Sequence, residues 1–230
     1  MIMLFSYPEL YSVADNNPYG LKIFAFLKLV RLPFRHCHLF DASEAPRKQL
    51  PYIEDDGKRI GDSDTIIARL IGKYALTIDA ALTPAQRVTD HVIRRTLDDL
   101  YWVMSYSRWK DPRFWPLFRQ ALKERHLNLT DAALDGAQAY NFQRYYYQGI
   151  GRYEPEEAYQ RGIDDLAALA SLLGNGPYFF GEQPTSTDAG VYGFLANIYF
   201  YDIETPLKAF VESRPNLVRH CGLIHAAVMS

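Results

Sequence analysis

Along the first 76 residues short apolar runs alternate with helical ones. Ile2 to Ser6 and Phe34 to Phe40 read as strands, and Pro18 to Val30 reads as a helix whose first turn suits a proline after Asn16 or Asn17 as cap. The stretch Gln49-Leu50-Pro51-Tyr52-Ile53-Glu54-Asp55-Asp56-Gly57 predicts a short strand entered through a proline, then a tight Asp-Gly turn. Arg59-Ile60-Gly61 continues as a second strand, and a helix from Asp64 to about Tyr74 follows. The pattern predicts a small three-layer α/β unit over residues 1–76. After Thr83-Pro84 the strand signals vanish. Helices are predicted from Pro84 to Trp109, Pro112 to His126, Asp131 to Gln148, Pro155 to Leu173, Asp188 to Tyr199, Pro206 to Glu212 and Pro215 to Ala227, so residues 84–230 should be all-helical. Thr185-Ser186-Thr187-Asp188 is a capping box with Asp in the reciprocal role, a folding element and not a catalytic group.

The block from Gln49 to Ile67 also carries chemistry. A proline opening a strand is tolerated as its first residue, and Leu50-Pro51 can be cis. The Leu50 backbone would then be free to pair with an extended ligand as an added strand. Asp62-Ser63-Asp64 joins capping side chains to the unpaired N–H groups of a helix start, which favour a carboxylate, while the Asp62 carboxylate can accept from an ammonium. Such a place suits a small anionic peptide with an amino-acid head group. The plainer alternative is a hairpin and a capped helix with no ligand.

Composition narrows the rest. The 230 residues are 48% hydrophobic and 23% charged with a formal charge of −2, and the basic residues form no footprint for nucleic acid. No apolar run approaches the roughly 20 residues of a membrane span, and Met1 to Phe5 is too short for a signal peptide, so the cytoplasm is expected. Cys37 and Cys221 are far apart and give no disulfide framework. His36 and His38 share one strand face, and Cys221 and His225 one helix face, but neither pair makes a closed metal site, and no metal is expected.

With its proline-initiated third strand, Asp-Ser turn and capping box, the chain resembles the glutathione transferases over nearly its whole length, and within them the branch related to metaxins and the failed-axon-connections proteins. The recurring signatures are Leu50 to Gly57, Gly149-Ile150-Gly151-Arg152-Tyr153, Asp164-Asp165-Leu166, Phe180-Gly181-Glu182-Gln183-Pro184-Thr185 and Asn216-Leu217. The resemblance implies a thioredoxin-like N-terminal domain plus an all-α C-terminal domain, with glutathione as substrate or ligand. Leu50 would pair with its cysteinyl backbone and Pro51 would be cis. Asp62 and Ser63 would hold the γ-glutamyl head, and Arg47 or Lys48 would meet the glycine carboxylate.

The family's thiolate donor is a Tyr, Ser or Cys, commonly just before a helix-starting proline. Here Asn17 stands at that place, an amide donor unable to form a mixed disulfide. Tyr7, Tyr11 and Ser12 are the other donors available, and Asn17 also suits a plain helix cap. Tyr101, Met104 and Trp109 lie on the first long helix of the second half, where the family lines the pocket for an electrophile. Core or dimer packing is the alternative role for such aromatics, and the cluster Arg144-Tyr145-Tyr146-Tyr147 is equally open. The expected activity is attack of the glutathione thiol on a small apolar electrophile by a homodimer. A non-catalytic binding or scaffold module is the alternative, as is another glutathione-dependent reaction such as isomerisation, dehalogenation or peroxide reduction.

Overall fold

The computed structural model describes residues 1–229. Strands β1 (Ile2–Ser6), β2 (Phe34–His38), β3 (Tyr52–Asp55) and β4 (Lys58–Gly61) form one mixed sheet in the order β2-β1-β3-β4. β1 runs parallel to β2, which the crossover helix α1 (Pro18–Leu29) permits, and antiparallel to β3; β3 and β4 form a hairpin. Gly57 takes a left-handed conformation in that turn (φ 72°), as the Asp-Gly pair predicts. Ile2, Leu4 and Ile53 point to one face and are buried beneath α1 and α2 (Ser63–Tyr74).

The third layer expected from the sequence is thin. Between β2 and β3 the chain makes only a 3-10 turn at Pro46–Lys48, so the opposite face carries half-exposed Met3, Phe5 and Cys37, with Phe5 stacked on Tyr52 at 4.5 Å. Arg47 and Lys48 both adopt left-handed φ here (57° and 54°), a conformation that disfavours helix continuation.

Seven helices follow among the described residues: α3 (Pro84–Trp109), α4 (Trp115–Arg125), α5 (Asp131–Gln148), α6 (Pro155–Leu173), α7 (Ser186–Tyr199), α8 (Pro206–Glu212) and α9 (Pro215–Val228). α4 starts three residues later than the proline at 112 suggests. The Asp111 carboxylate accepts from the Arg113 N–H at 2.9 Å and its carbonyl from the Phe114 N–H at 3.1 Å, which closes a turn before the helix opens. α7 starts earlier than expected, at Ser186, because Thr185 caps it.

α7 is the axis of the molecule. Nearly every residue along it is buried, and it lies against α1 so closely that a Cβ on Gly193 would fall 2.4 Å from the Pro18 carbonyl oxygen. Asp188, at the start of α7, accepts from the N–H groups of Phe179 (3.0 Å) and Thr185 (2.7 Å), from the Thr185 hydroxyl (2.8 Å) and pairs with buried His220 (2.9 Å). This gives Asp188 the folding role that its place in the capping box predicts.

Candidate active-site cleft

Two helix starts and one strand entrance converge on a cleft. At the first, Asn17 caps α1: its Oδ1 accepts from the Tyr19 N–H at 3.0 Å, and its own N–H donates to Asp15 Oδ1 at 2.7 Å. With the carbonyl oxygen committed, the amide N–H2 of Asn17 is left without a partner among the described residues. Asp15 is fully buried, and burial raises its pKa well above the usual carboxylate range. Its Oδ2 lies where a Cβ on Gly20 would clash at 1.8 Å. The preceding loop is tied down by Asn16, whose Nδ2 donates to the Pro8 carbonyl at 2.8 Å and whose own carbonyl accepts from Arg108 at 2.6 Å.

The second helix start is α2. Asp62 has φ 74° and ψ 119°, and its Oδ1 accepts from the N–H (2.9 Å) and hydroxyl (2.8 Å) of Thr65. The N–H groups of Ser63 and Asp64 have no protein acceptor among the described residues and sit at the positive end of the helix dipole. Ser63 is buried and its Oγ accepts from Lys22 Nζ at 3.1 Å. Burial pulls the Lys22 pKa down against the opposing pull of Asp64, to which its ammonium also donates. Asp64 further accepts from Arg94 at 2.6 Å, and Arg94 reaches Asp90 at 3.0 Å and Ser186 at 3.1 Å. This end of the cleft is thereby fastened to the cap of α7.

At the strand entrance the Leu50-Pro51 bond is cis, and the backbone N–H and C=O of Leu50 make no hydrogen bond within the described residues, since the β1–β3 ladder begins at Tyr52.

Around these groups lie two joined chambers. The polar one, about 430 Å³, is lined by Leu50, Pro51, Asp62, Ser63 and Asp64 on one side and Tyr19 and Asp98 on another. The second, about 560 Å³, is lined largely by apolar side chains of α3, α4 and α5, among them Met104, Trp109, Phe118, Leu122 and Leu134, with Phe40 at one side. Tyr7, Asn17, Lys48, Tyr101, Tyr140 and Arg144 line both and mark the junction. Burial pushes the Tyr7 hydroxyl up to about 12, so it remains a proton-bearing donor at neutral pH.

The fold thus brings Tyr7, Asn17, Lys48, Leu50, Pro51, Asp62, Ser63, Tyr101, Met104 and Trp109 to one cleft. Tyr11 and Ser12 lie outside it. They occupy the turn closed by the Leu10–Val13 bridge, where Tyr11 packs on Tyr201 at 4.7 Å and Ser12 is exposed. Arg47 also turns away, its guanidinium 3.8 Å from Asp62 and largely in solvent. Tyr145 is core, its hydroxyl on Ser105 at 2.7 Å, while Tyr146 and Tyr147 are exposed. Of the cluster that the sequence leaves open, Arg144 alone lines the cleft; Tyr140 and Phe40 are cleft residues that sequence reasoning missed, and the spacing of Tyr140 and Arg144 on one face of α5 is the available signal. No group of three or more metal-ligating side chains converges among the described residues. No helix there is long and apolar enough to cross a membrane.

A thioredoxin-like sheet joined to a helical half, with its cleft between a cis-proline strand and two helix starts, defines the class. The sequence matches the glutathione S-transferase N-terminal domain over residues 18–114 and the glutathione S-transferase C-terminal domain over residues 162–224. It is 31% identical over 96% of its length to Failed axon connections of Drosophila melanogaster, and spans 56% of that protein. It is 28% identical to the isoprene-epoxide–glutathione S-transferase of Rhodococcus sp. strain AD45, over 95% of each chain. In fold it resembles the β-etherase LigF of Sphingobium sp. strain SYK-6, with a TM-score of 0.70, 17% identity, and 99% and 97% of the two chains covered. The chain belongs to the glutathione S-transferase family.

Proposed function

We propose that the protein binds glutathione in the polar chamber and presents its thiol, at the junction, to a small electrophile held in the apolar chamber. The observation that carries this reading is the unpaired Leu50 backbone in the same chamber as the free N–H groups of Ser63 and Asp64. The tripeptide's cysteinyl backbone would pair with Leu50 as an added strand. Its γ-glutamyl carboxylate would meet Ser63 and the start of α2, with Lys22 behind, and Asp62 would face the ammonium. Lys48, which has no acidic partner among the described residues, would take the glycine carboxylate.

Catalysis in this reading rests on proximity and on favouring the thiolate. Lowering a thiol pKa by about two units needs about 2.7 kcal/mol of preferential stabilisation, within reach of the Tyr7 hydroxyl, the Asn17 amide and the nearby start of α1. The thiolate sulfur would form a bond to the electrophilic carbon while the leaving electron pair moves onto the electrophile's own atom; an epoxide, the substrate class named for the Rhodococcus relative, fits a largely apolar chamber whose junction offers the Tyr7 hydroxyl and the Asn17 amide. The reading includes residues 1–76 as the glutathione-binding unit, residues 84–230 as the helical unit, and a cytoplasmic homodimer.

Calorimetric titration with reduced glutathione tests it. Saturable binding at micromolar to low millimolar concentrations is expected. No heat, together with no thermal stabilisation at high glutathione, would sink the reading and leave a transferase fold serving as a binding module.

A further inference from the structure

Three cations lining the cleft meet no carboxylate among the described residues: Lys48, Arg108 and Arg144; Arg108 is buried and spends its donors on the carbonyls of Asn16 and Asn197, which leaves Arg144 as the one on the helical wall with donors to offer. The other cations of the polar chamber's helical wall and floor are neutralised: Lys22 by Asp64, Arg94 by Asp64 and Asp90, and Arg95 by Asp98 at 3.0 Å. Arg144 is half-buried and has no carboxylate partner among the described residues. Its guanidinium instead sits over the rings of Trp102 (5.0 Å), Tyr140 (5.6 Å) and Tyr101 (5.9 Å). Aromatic faces hold a guanidinium in place without cancelling its charge or occupying its in-plane donors.

Asn141 Oδ1 accepts from Arg144 Nη1 at 3.1 Å, and Asn141 lines the apolar chamber but not the polar one, which draws that edge of the fork to the apolar side. The acids of the cleft are already committed. Asp64 and Asp98 serve the cations above, Asp62 serves Thr65, and Asp41, the one acid lining the apolar chamber, accepts from the N–H (2.8 Å) and hydroxyl (2.9 Å) of Ser43. Asn141 and the Tyr101 hydroxyl use part of the five-donor fork, and a partly desolvated cation with donors remaining and no acid to meet it leaves a place for an anion that arrives with a ligand.

We propose that the ligand of the apolar chamber carries an anionic end, a carboxylate or a group of like charge and shape, that pairs with the fork of Arg144 while its apolar body lies against Met104, Trp109 and Phe118. This deepens the conjugation reading, on which its description as the second substrate rests: Lys48 serves the tripeptide and Arg144 selects its partner. The specificity is for charge at the end of the electrophile remote from the reacting carbon.

The test uses two unreactive probes of one shape, 3,5-dinitrobenzoate and its methyl ester, with affinity read from quenching of the tryptophans lining the cleft. Because no bond is made, the result does not depend on catalysis. The wild-type protein should bind the acid about tenfold more tightly than the ester. Arg144→Met should bring that ratio to about one by weakening the acid alone, and Arg144→Lys should restore part of it. Equal affinity of wild type for acid and ester would overturn the proposal. So would equal loss of both probes in Arg144→Met, which would make the side chain packing material. A fall in glutathione affinity with the acid-to-ester ratio unchanged would also overturn it, by assigning the cation to the tripeptide. If glutathione gives no heat but the acid preference stands and vanishes in Arg144→Met, the conjugation reading fails and the anion site is upheld.

Discussion

At the start of α2 the Asp64 carboxylate is fixed by partners on other elements, Lys22 of α1 and Arg94 of α3, and Arg94 in turn by Ser186 of α7. The apolar chamber next to it is held otherwise, by rings packed against rings, as Trp109 against Trp115 at 5.1 Å and against Phe118 at 5.3 Å. A charge network has few arrangements that satisfy every member, whereas an apolar wall accepts changes of shape at modest cost. The contrast teaches that the polar chamber tolerates a change of side chain less well than the apolar chamber does.

The largest effect should come from cutting the anchor of the polar side. Asp188→Ala removes the acceptor of four hydrogen bonds, one of them from buried His220, and should lower stability by about 3 to 5 kcal/mol in chemical denaturation. A loss under 1 kcal/mol would mean that α7 does not anchor this side of the cleft. Next, Ser63→Ala should weaken glutathione binding by about 1 to 2 kcal/mol, read by calorimetry, with the affinity for apolar probes unchanged. If both fall together, the chambers are not separable.

A pH experiment separates the sheet from both chambers. His36, on β2, is held down to about 4 by burial and by the charge of His38, against 6.5 when unfolded. The unfolded chain therefore binds more protons between those values, so stability should be complete above pH 6.5 and decline as pH falls toward 4. The decline should be about 1 to 2 kcal/mol, since the ring is only partly buried, and should be absent in His36→Gln. Smallest, Tyr7→Phe should raise the pH at which bound glutathione ionises by about one unit, followed by thiolate absorbance. An unmoved titration would pass the thiolate to Asn17 alone.

How much of this was legible in the sequence follows the same division. The groups of the polar chamber proposed to meet glutathione come mostly from the stretch between Lys48 and Asp64, where local rules apply: Pro51 opens its strand, Asp56-Gly57 makes its turn and Asp62 caps its helix. The apolar chamber draws on residues from Phe40 to Arg144, and their meeting depends on how α3, α4 and α5 pack. Nothing local marks Arg144 as facing the cleft while Tyr145 beside it is core. Tyr7, Tyr11 and Ser12 share one loop, which does not rank them; the Leu10–Val13 turn and the tertiary contact of Tyr11 with Tyr201 turn two of them out. The start of α4 was misread for a related reason: Pro112 signals a helix, but the Asp111 side chain takes the Arg113 N–H for a turn first.

Asn17 holds helix α1 with one end of its amide and offers the other to the cleft. An engineer wishing to retune the thiol donor proposed at this position therefore has a short alphabet. Only Ser, Thr, Asn and Asp cap well through a side-chain oxygen, and of these Asp offers no proton to a thiolate. Substitution by Tyr or Cys would trade helix fastening for a different donor in a single codon. Any laboratory lineage that changes the donor here should gather second changes along α1 that restore its start.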